Sequence, residues 1–259
     1  MSVDGPYNPL AKANLGESVA DALLRTPVRP LGETGHLIGA GVYAIYYVGN
    51  FAPYAPVAAQ NASGVFAQPI YVGKAVPKGA RKGGTGFDAA KGLALRDRLR
   101  QHALSIYETN LVLADFYYRA LTVDDIWIPL GENVVIEKFQ PLWNRVIDGF
   151  GNKTPGKGRA TQKRSSWDVL HPGRKFVEKL KLAPSHLTVE QISQRVADFF
   201  GGRLSAAALL TSATIRRTTR RESLASPGRR LDAASSYLRL ARISSISSMI
   251  LFIRATSDW

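Results

Sequence analysis

Apolar and polar positions change period along the chain, and each change marks an element. Between positions 39 and 49 the run GAGVYAIYYVG is nearly unbroken in β-branched and aromatic residues, which predicts a buried strand. PIYVGK at 69–74 predicts a second, shorter strand, and LVLADFYYRAL at 111–121 a third. Helical spacing runs from Leu15 to Leu24 and again from Asp88 to Tyr107, where Leu95, Leu99 and Ala103 recur one turn apart. ENVVIEKF at 132–139 predicts a short helix that stops before Pro141. A last helix, Thr188 to Phe200, opens on a capping-box pair, Thr188 with Gln191. Residues 50–68, with Pro, Gly, Asn and Ser, read as a connecting loop, and 77–92 as a glycine- and lysine-rich loop. Strand, strand, helix, strand, helix predicts an α+β fold, a small antiparallel sheet flanked by helices. The expected organisation is an N-terminal extension over 1–37, a core domain with inserted loops over 38–202, and an irregular tail over 203–259.

Composition narrows the classes. A hydrophobic fraction of 45% supports a packed core, and the absence of cysteine removes disulfides, thiolate zinc sites and a cysteine nucleophile together. No apolar run approaches the roughly 18 residues of a membrane span, and MSVDGPYNPL lacks a signal-peptide pattern, so a soluble intracellular protein is expected. The formal charge of +14 favours a polyanionic partner, because each cation set on a phosphate releases counterions. Half of it lies in the tail: residues 203–259 hold 10 Arg, no Lys and 3 acids, whereas residues 1–202 hold 12 Lys and 12 Arg against 17 acids. Three readings fit that shift, namely an aberrant or frame-shifted C-terminus, a plain disordered tail, and a DNA-binding arm. No site residue is taken from the tail.

The candidate chemistry lies upstream. The glycine-rich loop lacks both G-x-x-x-x-G-K-[ST] and G-x-G-x-x-G and reads as surface. The four histidines show no close pairing, so a metal would be a hard, oxygen-liganded ion needing only one or two carboxylates. Singly, strand tyrosines are core filler, a helical histidine is a hydrogen-bonder and a helical arginine is solvated. Their order carries the information: Gly41-Val42-Tyr43, Tyr71-Val72-Gly73, Arg98 with His102 one turn later, then Glu137, Pro141 and Asn144.

That order resembles the GIY-YIG nuclease family, with GVY and YVG for its two tripeptides, LRDRLRQH for its arginine helix and EKFQPLWN for its glutamate segment. Tyr43 and Tyr71 are 28 residues apart, a wider gap than the family usually shows. The insertion, and the segment from Ser166 to Arg174 (SWDVLHPGR), are similar to the type II restriction endonucleases of the family that cut CCGCGG. The resemblance implies a Mg²⁺-dependent, site-specific endonuclease for double-stranded DNA. It also implies a homodimer, a companion DNA methyltransferase, and a prokaryotic cytoplasm with no membrane partner. Catalytic roles would fall to Tyr43, Tyr71, Arg98, His102 and Glu137, with Glu137 holding the metal and either Tyr43 or His102 serving as base. Asn144 and Lys74 would support them. Arg159, Lys163, Arg164 and Arg174 are candidate DNA contacts, since arginine can bridge guanine O6 and N7. A repair or recombination nuclease of the same fold, and a non-catalytic DNA-binding module, are the competing readings.

Overall fold

The structure, a computed structural model, describes residues 8, 10–76, 92–152 and 162–202. The glycine- and lysine-rich loop up to 91, Arg159 and the tail from 203 lie outside the described residues.

The sheet has four strands: β1 (Arg29–Pro30), β2 (Gly41–Tyr47), β3 (Tyr71–Ala75) and β4 (Phe116–Thr122), in the order β1-β4-β2-β3 and antiparallel throughout. Central β2 is buried at every position, which is why its sequence reads as a continuous apolar run rather than an alternation. The two-residue period still sorts its side chains. Val42, Ala44 and Tyr46 join one core layer with Ala20 and Leu23 of helix α1 (Lys12–Arg25). Tyr43, Ile45 and Tyr47 enter the other with Leu95, Leu99 and Ile106 of helix α3 (Ala94–Tyr107). Helix α4 (Ile128–Phe139) packs with α1, contributing Ile128 and Val135. The remaining helices are α2 (Ala55–Asn61), α5 (Leu142–Arg145), α6 (Ser166–Leu170), α7 (Lys175–Lys179) and α8, residues 189–202. Thr188 and Gln191 exchange the two hydrogen bonds of a capping box ahead of α8.

Some boundaries differ from expectation. The third strand begins at Phe116, after a 3₁₀ turn at Leu113–Asp115, and α4 begins four residues earlier than expected, with Pro129 in its first turn. The expected loop 50–68 carries α2 between 3₁₀ turns Ala52–Tyr54 and Ala62–Gly64. Its prolines stand in first helical turns, where no backbone N–H is required. Tyr54, Val57 and Asn61, at helical spacing, are buried. Asn61 closes the excursion at its base: its amide donates to the carbonyls of Tyr47 (3.0 Å) and Gln68 (2.8 Å), and its oxygen accepts from Gln68 N–H (2.9 Å). Ile70 N–H then meets the Ile45 carbonyl at 2.8 Å, and β2 and β3 pair as though joined by a short turn. Among the described residues no helix is long and apolar enough to cross a membrane.

Candidate active site

The β2–β3 register sets Tyr43 opposite Gly73, two residues from Tyr71, so both tyrosines project from the face that α3 covers. A Cβ on Gly73 would come within 2.5 Å of the Tyr43 hydroxyl, so only glycine leaves the ring its place. On α3, Leu95, Leu99, His102 and Ile106 are buried, and His102 meets the strand tyrosines there. Its Nε2 lies 2.7 Å from the Tyr43 hydroxyl, and its ring stacks on Phe150 at 4.5 Å and 19°. Tyr71 lies edge-on to the same imidazole at 5.3 Å. Burial, and then the neighbouring Tyr71, push the Tyr43 hydroxyl well above the ordinary tyrosine range, with Arg98 pulling the other way. Tyr71 is raised by burial as well, again opposed by Arg98. Both phenols are therefore neutral at physiological pH.

Beside this aromatic group opens a cleft of about 670 Å³, lined by Tyr71, Lys74, Arg98, Arg100, Gln101 and Glu132 among others. Tyr71 faces it, whereas Tyr43, wholly buried, does not line it. Arg98 is held by Nη2 donating to the Gly151 carbonyl (2.7 Å) and Nη1 to Gln101 Oε1 (3.2 Å). Lys74, directly after the second tripeptide, pairs with Glu132 at 2.6 Å. Asn144 bonds to Val72 by both ends of its amide, accepting from the N–H and donating to the carbonyl at 2.8 Å each. Because β3 is an edge strand, those two backbone groups lack a neighbour on that side, and the amide completes them as another strand would.

Two sequence expectations need correction. Glu137 is exposed and absent from the cleft; the carboxylates that line it are Glu132 and, on α3, Asp97, which pairs with Arg96 at 3.2 Å. Helix phase is the reason. At about 100° per residue, Glu137 falls on the side of α4 opposite buried Ile128, while Glu132 sits next to the stripe of Ile128, Gly131 and Val135. The same wheel, drawn over an α4 begun at the correct residue, was the signal that separates them. Arg174 is also misassigned as a DNA contact. It is 1% exposed and paired with Asp168 at 2.6 Å, so no base or phosphate can reach it. Lys163 is exposed, its Nζ 2.6 Å from His186 Nε2, and Arg164 pairs with Glu178 at 3.3 Å. Phe150 and Gly151 bear directly on the site, and nothing local in the sequence marks them.

Two strand tyrosines lie side by side, with an arginine–histidine helix across them and a carboxylate from the next helix, as the resemblance to GIY-YIG nucleases leads one to expect. Comparison of the sequence with known families agrees: the model described as the Eco29kI GIY-YIG domain matches residues 36–200. The chain belongs to that family of restriction endonucleases, and its fold class, a small antiparallel sheet with helices around it, is the one expected. It carries an endonuclease domain, and DNA binding follows from that. No curated protein matches the chain.

Proposed function

We propose that the protein is a type II restriction endonuclease that hydrolyses double-stranded DNA at a GC-rich palindrome, with CCGCGG the expected sequence. The carrying observation is the convergence of Tyr71, Lys74, Arg98 and Glu132 on one cleft, with the Tyr43–His102 hydrogen bond directly behind it. Phosphodiester hydrolysis needs an activated water, countercharge on the phosphoryl oxygens and help for the leaving 3′ oxygen. Arg98, permanently charged and forked, suits the scissile phosphate. Tyr43 cannot act as a base alone, because burial keeps it protonated. Its proton leaves only as His102 Nε2 accepts it, which makes the two residues one proton-transfer unit for the attacking water. Tyr71 orients phosphate or water at the cleft wall. Asn144 keeps β3 in place, and Lys74 supplies charge to the phosphate.

Among the described residues no three His, Asp or Glu side chains gather as a metal cluster. A hard cation needs only one or two carboxylates, with water and phosphate completing its shell, and Glu132 on an open polar cleft fits that requirement. Mg²⁺ held there would polarise the phosphoryl group and steady the leaving oxygen. A palindromic site is best met by a two-fold protein, so the proposal includes a homodimer. It also includes a companion methyltransferase in a prokaryotic cytoplasm. Lys163 and Arg164 are the described candidates for DNA contacts outside the cleft. No role in the reaction is assigned to residues 203–259.

The test is incubation with plasmids carrying zero, one or two CCGCGG sites, with Mg²⁺ and with EDTA. Discrete fragments equal in number to the sites, lost in EDTA, are expected. Smears independent of the sites would favour a repair-type nuclease, and binding without cleavage a DNA-binding module.

A further inference from the structure

A guanidinium sealed from solvent needs partners, and those of Arg174 lead back to the active site. Its Nε donates to Asp168 at 2.6 Å, Nη2 to the Gly149 carbonyl at 3.0 Å and Nη1 to the Phe150 carbonyl at 3.3 Å. Its plane rests over the rings of Trp167 and Phe176, at 4.6 and 4.8 Å. Asp168 is itself fixed, accepting from the Ser165 hydroxyl at 2.6 Å. The two carbonyls that Arg174 grips belong to the segment that shapes the cleft. Phe150 stacks on His102 at 4.5 Å and meets Tyr71 edge-on at 5.0 Å. Gly151 accepts from Arg98, and a Cβ added to it would stand 2.7 Å from the Tyr71 hydroxyl. An unbroken set of contacts thus runs from Asp168 through Arg174 and Phe150 to His102, and through Gly151 to Arg98.

We propose that Arg174 and Asp168 are positioning residues of the nuclease site, acting through Phe150 and Gly151 to set His102 against Tyr43 and Arg98 toward the cleft. This rests on the nuclease reading above. The SWDVLHPGR segment then serves the reaction from behind: Arg174 never touches DNA and governs turnover rather than affinity. A fork is essential to the arrangement, because three acceptors in different directions are met by one planar cation, which an ammonium cannot reproduce.

Arg174→Lys and Asp168→Asn in the full-length chain test it, with two readouts. The first is the His102 imidazole signal by NMR in protein free of DNA and metal. The Phe150 ring shifts that signal in the parent, and it is expected to move toward the position of an unstacked histidine in both variants. The second is the single-turnover rate set against DNA affinity: the rate is expected to fall roughly tenfold to a hundredfold, with Kd held within about threefold. Weakened binding with an unchanged rate would overturn the proposal in favour of a DNA contact. A lowered Tm with the His102 signal and the rate both unchanged would reduce the clasp to a structural one. Should either variant fail to fold, Gly151→Ala leaves the clasp intact and presses on Tyr71. The same loss of rate at constant Kd is expected, and an unchanged rate overturns the proposal. If the parent proves not to cleave DNA, the nuclease reading fails, and the His102 signal still decides whether Arg174 positions it.

Discussion

Replacing Tyr43 by Phe removes one oxygen and leaves the ring where Gly73 makes room for it. What is lost is the 2.7 Å hydrogen bond to His102 Nε2. As a contribution to stability, a buried hydrogen bond is worth about 1 kcal/mol net, rising to about 3 kcal/mol when the former partner is left in an apolar site. For a domain of this size each kcal/mol lowers Tm by about 2–4 °C, so the variant remains folded at assay temperature. The kinetic consequence is larger. Loss of a general base costs roughly 10²–10⁴-fold, equivalent to about 2.7–5.4 kcal/mol in the barrier. The assay is single-turnover cleavage with enzyme in excess over a one-site duplex, alongside thermal melts of the same preparations. His102→Gln, which fills much of the ring's space, should lose a comparable factor. The double variant should be scarcely slower than either single one, because the two residues move one proton between them. A Tyr43→Phe rate within about threefold of the parent, or losses that multiply in the double variant, would refute the coupled-pair reasoning.

Glu132→Gln should abolish cleavage while DNA binding survives, whereas Glu137→Gln should cleave like the parent; the reverse outcome would return the metal to Glu137. Burial, and then the charge of Arg174, hold the His171 imidazole down to about 3. The unfolded chain, with a pKa near ~6.5, then binds the extra proton first, and stability falls as pH drops below about 6.5 and levels off near 3. The full effect is at most about 4–5 kcal/mol at 1.36 kcal/mol per unit. Urea melts between pH 7 and 4 should show it, with a flatter profile for His171→Gln; parallel profiles would remove His171 as the cause. A fragment ending at residue 202 should match the full chain in Tm, cleavage pattern and the slope of log affinity against log salt, since no site residue comes from the remainder. A shallower slope in the fragment would make residues 203–259 a DNA-contacting arm.

The sheet was legible because β2 is covered on both faces and its sequence is apolar without a break. The arginine and histidine of α3 were legible because a four-residue spacing puts them on one side of a helix. Choosing between Glu132 and Glu137 required knowing which face of α4 is buried, and the expected span 132–139 left out Ile128 and Gly131, two of the three residues that mark that face; Pro129 in the first turn hid the upstream start. Arg174 was beyond local reading, since a charge beside Trp167 and Gly173 looks the same whether water or Asp168 faces it. Helix α2 was obscured by Pro53 and Pro56, which break a helix interior but are at ease in its first turn. The pairing of Asn144 with Val72 spans 72 residues and follows only from the sheet's having an open edge there.

Asn61 has a consequence for how such a protein can change over generations. With the amide tying residue 47 to residue 68, the ladder between β2 and β3 is closed at the base of the excursion. Descendants can therefore vary the exposed positions between residues 48 and 60, such as Ala55, Pro56 and Gln60, without sliding Tyr43 out of line with Gly73, while Tyr54 and Val57 keep their places in the core. Variation is steered toward the periphery, and the reacting groups inherit an unchanged frame. The asparagine acts as a hinge pin between the strands that carry the tyrosines and the exposed margin of the excursion, and its loss would expose their register to later insertions.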